Sequence, residues 1–89
     1  MGRGPGRPPE KPAAPGKPAE TELLAYLTVR QKQVLKLVSD GMSNKEIGRA
    51  LYISPSTVNG HLSRIFSVLG VDGRIEAAVM WTRNTRENR

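Results

Sequence analysis

The sequence predicts an all-α fold, a four-helix bundle preceded by a disordered Pro/Gly-rich tail. Signatures of helix starts recur along the chain from residue 28 onward, and the apolar residues behind them are spaced three and four apart, as on one face of a helix. No stretch shows the alternation of apolar and polar residues that is typical of a strand. We expect the tail over residues 1–21 and the folded domain over residues 22–84.

The tail is set apart by its composition. Residues 1–20 hold six of the seven prolines and four of the nine glycines, with no aromatic or β-branched residue, so they cannot bury enough surface to fold. Gly6, Arg7 and Pro8 match the core of an AT-hook, which binds the minor groove of DNA, but Pro5 stands where the preceding arginine belongs. We therefore favour a basic linker that loosely gathers phosphates.

Three helices have clear starts. Residues 28–31 and 43–46 are capping boxes, in which a Ser or Thr side chain and a Gln or Glu three residues later satisfy each other's backbone N–H groups. Ser54 is the N-cap of the next helix, with Pro55 at the first helical position, where a missing N–H costs nothing. We expect a last helix after the turn at residues 71–73, with these residues facing the core: Ile75, Ala78 and Val79. The polar end, residues 82–89, should fray.

The second and third of these helices form a predicted helix-turn-helix over about residues 44–63. Apolar residues stand where the two helices must touch, at Ile47, Leu51, Ile53, Val58 and Leu62. Gly48 falls where the helices approach each other, and a mid-helix glycine costs about 1 kcal/mol relative to alanine unless close packing requires it. Tyr52 occupies the turn, where glycine is frequent in this motif.

The outward face of the third helix, residues 55–69, points to nucleic acid. Opposite its apolar stripe lies a row of small residues, Ser56, Gly60, Ser63 and Ser67. A merely solvated helix would carry Lys, Glu and Gln there, whereas a smooth ridge lets the backbone approach another surface closely. Since the chain has 14 Lys and Arg against 8 Asp and Glu, for a net charge of +6, the floor of a DNA major groove is the best candidate.

Composition excludes several other functions. The absence of cysteine and the single histidine leave no disulfide framework and no multi-histidine metal cluster, so we predict no metal and no cofactor. An enzyme is not expected, because no nucleophile–base pair and no phosphate loop can be identified. Without an apolar run long enough to span a membrane and without a signal peptide, the chain should act in the cytoplasm, at the nucleoid.

Residues 27–79 also resemble a known family. The motifs LT-x-R, VL-x-L, SNKEI, IS-x-x-TV-x-x-HL, I-x-x-x-LGV and R-x-EA resemble the LuxR/GerE-type DNA-binding domain of bacterial transcription regulators. The resemblance implies a four-helix domain that binds double-stranded DNA with its third helix and often dimerises through its fourth. It also makes RNA polymerase a candidate partner. The resemblance is compatible with a stand-alone regulator and with the C-terminal output domain of a larger one, such as a response regulator.

Roles follow from the pattern and the resemblance together. Asn59, Gly60 and Ser63 are expected to face base edges, and His61 to pack or hydrogen bond within the domain. The residues expected to hold phosphates are Asn44, Lys45, Ser54, Ser56, Thr57 and Arg64, with Asn44 and Lys45 offering backbone N–H groups at a helix start. Val79, Met80 and Trp81 are candidates for a dimer contact, and Met80 and Trp81 are equally candidates for ordinary core residues.

Two departures from the family keep alternatives open. Asn59 and Val68 replace lysines that the family commonly uses on DNA, which should flatten the salt dependence of binding by up to about two phosphate contacts. The same departures support an adapter that binds a protein partner instead of DNA. A sigma-factor region-4 promoter reader shares the four-helix plan, but His61 and the Leu-Gly-Val ending at residues 69–71 favour the LuxR type.

Overall fold

A computed structural model of the chain describes residues 19–85. They form five helices and contain no strand. Residues 1–18 of the predicted tail, with their AT-hook-like stretch, and residues 86–89 lie outside the described residues. The helices are α1 (Glu20–Ala25), α2 (Val29–Ser39), α3 (Asn44–Leu51), α4 (Pro55–Leu69) and α5 (Arg74–Thr85). The predicted all-α class is thus confirmed.

The predicted helix starts are all present. Thr28 Oγ1 accepts from the backbone N–H of Gln31 at 3.1 Å, and Gln31 Oε1 accepts from the N–H of Thr28 at 2.9 Å. Ser43 and Glu46 form the same reciprocal pair at the start of α3, at 3.1 and 2.8 Å. Ser54 Oγ accepts from the Thr57 N–H at 3.0 Å, with Pro55 at the first position of α4. These local bonds set the bounds of α2, α3 and α4.

The turn between α3 and α4 departs from ordinary backbone geometry. Tyr52 ends α3 in the left-handed region, with φ 61° and ψ 43°, and no other described residue except glycine has a positive φ. That conformation costs an ordinary residue about 1–2 kcal/mol. Since the Tyr52 side chain is 93% exposed, burial within the chain does not offset this cost.

The core lies between α2, α4 and α5, with α1 closing one side. Its side chains are almost completely buried; they are Leu24, Leu27, Val34, Leu35, Val38, Ile47, Val58, Leu62, Ile65, Leu69, Ala77 and Met80. No polar or charged side chain is buried among the described residues. None of the described helices combines the length and apolar composition that crossing a membrane requires.

The fifth helix is α1, which the sequence pattern did not predict. It has only six residues, too few for a periodic pattern, and its first residue, Glu20, falls within the predicted tail. Tertiary contacts stabilise it: Leu24 enters the core, and Glu20 binds the far end of α5. Arg83 Nη2 and Nε donate to the Glu20 carboxylate at 2.7 and 3.2 Å, and Asn84 Nδ2 donates to it at 2.9 Å.

Two expectations for α5 were wrong. Ile75 and Val79 are 77% and 48% exposed, while Ala77 and Met80 face the core instead. The physical reason is the burial of Ala77 and Met80 in the core, and Arg74 at the start of the helix adds a hydrogen bond to the Met42 carbonyl oxygen at 2.7 Å. Residues 82–85, expected to fray, stay helical because Arg83 and Asn84 bind Glu20.

The α1–α5 contact gives a testable pH dependence. Hydrogen bonds from Arg83, and then from Asn84, lower the pKa of Glu20 from its ordinary 4.5. A lowered pKa means that the carboxylate stabilises the fold above pH 4.5, and that this contribution disappears as pH falls through the lowered value. Glu20→Gln should therefore destabilise the domain modestly at pH 7, because the pair is half exposed, and cost nothing at low pH. Urea unfolding across this pH range measures the difference.

Glu22→Gln is the matched control for this experiment. It removes the same charge from the same helix, but within residues 19–85 the Glu22 side chain bonds only to the backbone N–H of Ala19, a bond that glutamine can also make. We expect a smaller effect at pH 7. Equal destabilisation by both variants, or a Glu20→Gln effect that persists in acid, would show that the contact with α5 contributes no electrostatic stability.

Candidate nucleic-acid interface

The two helices of the helix-turn-helix meet at Gly48, which is buried. A Cβ atom built on Gly48 would lie 2.5 Å from the backbone oxygen of Ile53, closer than real side chains approach. The Gly48 carbonyl also accepts a hydrogen bond from the Ile53 N–H at 2.9 Å. The predicted reason for a glycine here is confirmed, and this contact fixes how α4 projects from α3.

The exposed face of α4 carries the small-residue ridge, defined as Ser56, Gly60, Ser63 and Ser67, all of which are exposed. The opposite face packs into the core through Val58, Leu62, Ile65 and Leu69. A Cβ built on Gly60 would meet nothing within 4 Å. Unlike Gly48, Gly60 is not required by packing within the domain. A glycine here lowers the helix propensity of α4, and no contact within the domain compensates for that loss.

Exposed polar residues predicted to contact bases or phosphates flank the ridge. Asn59, Thr57 and Arg64 are exposed on α4, as is Lys45 on α3. Ser54 Oγ and Thr57 Oγ1 lie 3.0 Å apart, so one hydroxyl hydrogen joins them and the other stays free to donate outward. Each of these predicted site residues is accessible on the helix-turn-helix.

The electrostatics of the helix-turn-helix suit a polyanion. From residue 47 to residue 71 the sequence contains no aspartate or glutamate, while Arg49 and Arg64 supply positive charge. Glu46, just before this stretch, uses its carboxylate to accept the Ser43 N–H. A phosphate chain following α4 would therefore meet no carboxylate along the helix itself.

Asn44 is placed differently from the other predicted phosphate contacts. Its side-chain oxygen Oδ1 accepts from Arg74 Nη1 at 2.8 Å and is partly buried. The side-chain oxygen therefore joins α3 to α5, and the groups of Asn44 that could donate to a phosphate are its backbone N–H and its side-chain Nδ2. Arg74 was missed as a structural residue because its partners, Met42 and Asn44, are about 30 residues away along the chain.

The three residues predicted at a dimer contact differ in how far they are exposed. Val79 is half exposed and Trp81 half-buried, whereas Met80 is a core residue with only 8% exposure. Ile75, which lies one turn before Val79, is the most exposed apolar side chain of α5. The apolar face that α5 presents outward is thus centred on Ile75 and Val79.

Comparisons with known proteins agree with this geometry. Residues 25–81 match the family model described as "Bacterial regulatory proteins, luxR family". The chain is 43% identical to the HTH-type transcriptional regulator AlkS of Alcanivorax borkumensis over 67 residues, which are 75% of this chain and 8% of that protein. It is 46% identical to the transcriptional regulatory protein DegU of Brevibacillus brevis over 61 residues, which are 68% of this chain and 26% of DegU.

A third similar protein is also a transcriptional regulator that matches this chain over part of its own length. The transcriptional regulatory protein LiaR of Bacillus subtilis is 45% identical over 58 residues, which are 65% of this chain and 28% of LiaR. The matched stretch therefore spans between 8% and 28% of these three relatives. What they share with this chain is the helix-turn-helix domain and not the remainder of their length.

Proposed function

The chain belongs to the luxR family of bacterial regulatory proteins, and we propose that it regulates transcription by placing α4 in the major groove of specific DNA sites. The observation that carries this proposal is Gly60. A mid-helix glycine with open space around it, at the centre of an exposed and carboxylate-free face, is favoured only where another surface must approach the backbone.

In this proposal the small-residue ridge faces the groove floor. Asn59, Gly60 and Ser63 lie nearest to base edges, and the amide of Asn59 is suited to bidentate hydrogen bonding with adenine, worth about 1–3 kcal/mol of discrimination. The phosphate contacts come from exposed groups around the ridge, namely Lys45, Ser54, Ser56, Thr57, Arg64 and the backbone N–H of Asn44. Phosphate contacts position the helix and base contacts specify the sequence.

We further propose that a second copy of the chain covers the exposed apolar face of α5. Ile75 and Val79 would form that contact with Trp81 at its edge, while Met80 supports it from the core. A two-fold dimer would read two half-sites about one helical turn apart, or multiples of one turn. A contact with RNA polymerase stays a prediction from the family resemblance.

The adapter alternative is less well supported by the geometry. Its main support is the absence of lysine at Asn59 and Val68. Val68 is partly buried and packs against the core, so an apolar residue at that position serves the fold of the domain itself. The open, carboxylate-free ridge also suits a phosphate-lined groove better than it suits an apolar partner helix.

An NMR titration tests the proposal. The ¹⁵N-labelled chain, titrated at low salt with a mixed-sequence duplex, should show amide shifts concentrated on residues 54–67, with a smaller group at Asn44 and Lys45. Raising the salt should reverse them, since released counterions drive phosphate binding. If the amide signals of residues 54–67 do not shift, or if shifts are confined to residues 1–20, the folded domain does not bind DNA through α4. That result would favour the adapter hypothesis.

A further inference from the structure

The strained turn residue lies at the end of a row of polar side chains on α3. Lys45 and Arg49 are four residues apart and so lie on one face of α3, and Tyr52, just after the helix, lines the same open depression as they do. All three are exposed, and together they form one wall of this depression. The other wall is formed by Ile53, Ser54 and Pro55, where α4 begins. We call Lys45, Arg49 and Tyr52 the α3 row.

Nothing within the described chain accounts for these three side chains. No described carboxylate pairs with Lys45 or Arg49, and no described group hydrogen bonds to the Tyr52 hydroxyl. Tyr52 is nevertheless held in a left-handed backbone conformation that glycine would adopt without strain. A strained and almost fully exposed aromatic residue beside two cations that pair with no carboxylate of residues 19–85 is a candidate for an intermolecular contact.

Because a DNA strand is the polyanion that the proposed function brings to the adjacent helix, we propose that the α3 row is a second clamp on the DNA backbone. Arg49 would hold a phosphate with its guanidinium, and the Tyr52 hydroxyl would donate to a phosphate oxygen of the same strand. This inference rests on the proposed function and adds Arg49 and Tyr52 as positioning residues. Arg49 would also compensate for the absence of a phosphate-binding lysine at Asn59 and Val68.

The test is a salt series of duplex-binding measurements on the full chain. Arg49→Gln should weaken binding about fivefold to tenfold at low salt and reduce the slope of log K against log salt by about 0.9, as expected when one fewer phosphate is neutralised. Tyr52→Phe removes a neutral donor, so it should weaken binding about twofold to tenfold and leave the slope unchanged. The ranking of different duplex sequences should stay the same for both variants.

Arg30→Gln is the matched control, since Arg30 is an exposed arginine on α2 whose side chain hydrogen bonds only to Gln33 among the described residues. It lowers the net charge equally but should change affinity less than about twofold. Arg49 also lies in the last turn of α3, where a positive charge stabilises the helix. Arg49→Lys keeps this charge and removes only the planar guanidinium, which can donate two hydrogen bonds to one phosphate. Melting temperatures of Tyr52→Phe and Arg49→Lys should match that of the unmodified chain.

The outcomes separate this inference from the proposed function. If Arg49→Gln and Tyr52→Phe bind like the unmodified chain while Ser63→Leu abolishes binding, the α3 row does not contact DNA and the inference fails, although the proposed function stands. A decrease in affinity that follows a fall in melting temperature would also overturn it. If the unmodified chain binds no duplex, the proposed function itself fails. An acidic protein that binds the row while DNA does not would identify the other class of partner.

Discussion

Replacing Gly60 with leucine should make the domain more stable and yet a much poorer DNA binder. A Cβ at this position meets nothing within 4 Å, and leucine has a far better helix propensity than glycine, so the free energy of unfolding should rise by about 0.5–1 kcal/mol. On DNA the same side chain would stand between α4 and the groove floor and displace the neighbouring base contacts. Affinity for a selected site should fall about tenfold to a hundredfold, comparable to the removal of one or two base contacts.

Urea unfolding and duplex binding on the same preparation measure both effects of this substitution. Gln33→Leu provides the control, because it adds an exposed leucine to α2, on a different helix. It should leave duplex affinity within about twofold of the unmodified chain. Gly60→Leu with raised stability and unchanged affinity would exclude the ridge from the interface, since no folding defect could then be invoked. The residual binding of Gly60→Leu should be non-specific and strongly dependent on salt.

Much of this fold could be predicted because its signals are local. The caps at Thr28, Ser43 and Ser54 lie within three residues of their partners, so sequence alone placed the starts of α2, α3 and α4. The small-residue ridge was predictable for a related reason. Once the start and apolar stripe of α4 are known, helical geometry determines which residues face outward.

The parts that sequence did not predict depend on distant partners. Glu20 of α1 bonds to Arg83, 63 residues away, and Arg74 of α5 bonds to Met42 and Asn44, about 30 residues away. Neither interaction can be predicted from the spacing of residues within a single helix. The bond from Arg74 also gives Asn44 a structural role that the sequence did not predict, because its side-chain oxygen joins α3 to α5. The left-handed conformation of Tyr52 was not predicted; the sequence showed only that Tyr52 stands at a position where glycine is frequent.

Alanine at Gly48 should have the opposite effect on stability from alanine at Gly60. Helix propensity alone would favour either substitution by about 1 kcal/mol. At Gly48 the new methyl group would meet the Ile53 carbonyl oxygen at 2.5 Å, a backbone atom that cannot move aside without shifting the turn. Such overpacking typically costs about 1–3 kcal/mol. After the propensity gain of about 1 kcal/mol is subtracted, Gly48→Ala should be less stable by up to about 2 kcal/mol, and its melting temperature should fall by up to about 15 °C. Gly60→Ala should raise the melting temperature by a few degrees.

The two alanine variants form a matched pair, measured by thermal unfolding under identical conditions. Both make the same chemical change in a helix interior, so their difference isolates the tertiary contact. A stabilised Gly48→Ala would mean that α3 and α4 can separate without cost, and the close contact would then not be what orients α4. If it is destabilised as expected, DNA affinity should fall as well wherever the variant remains folded. That decrease would arise because a displaced α4 no longer presents its ridge at the angle set by the contact between Gly48 and Ile53.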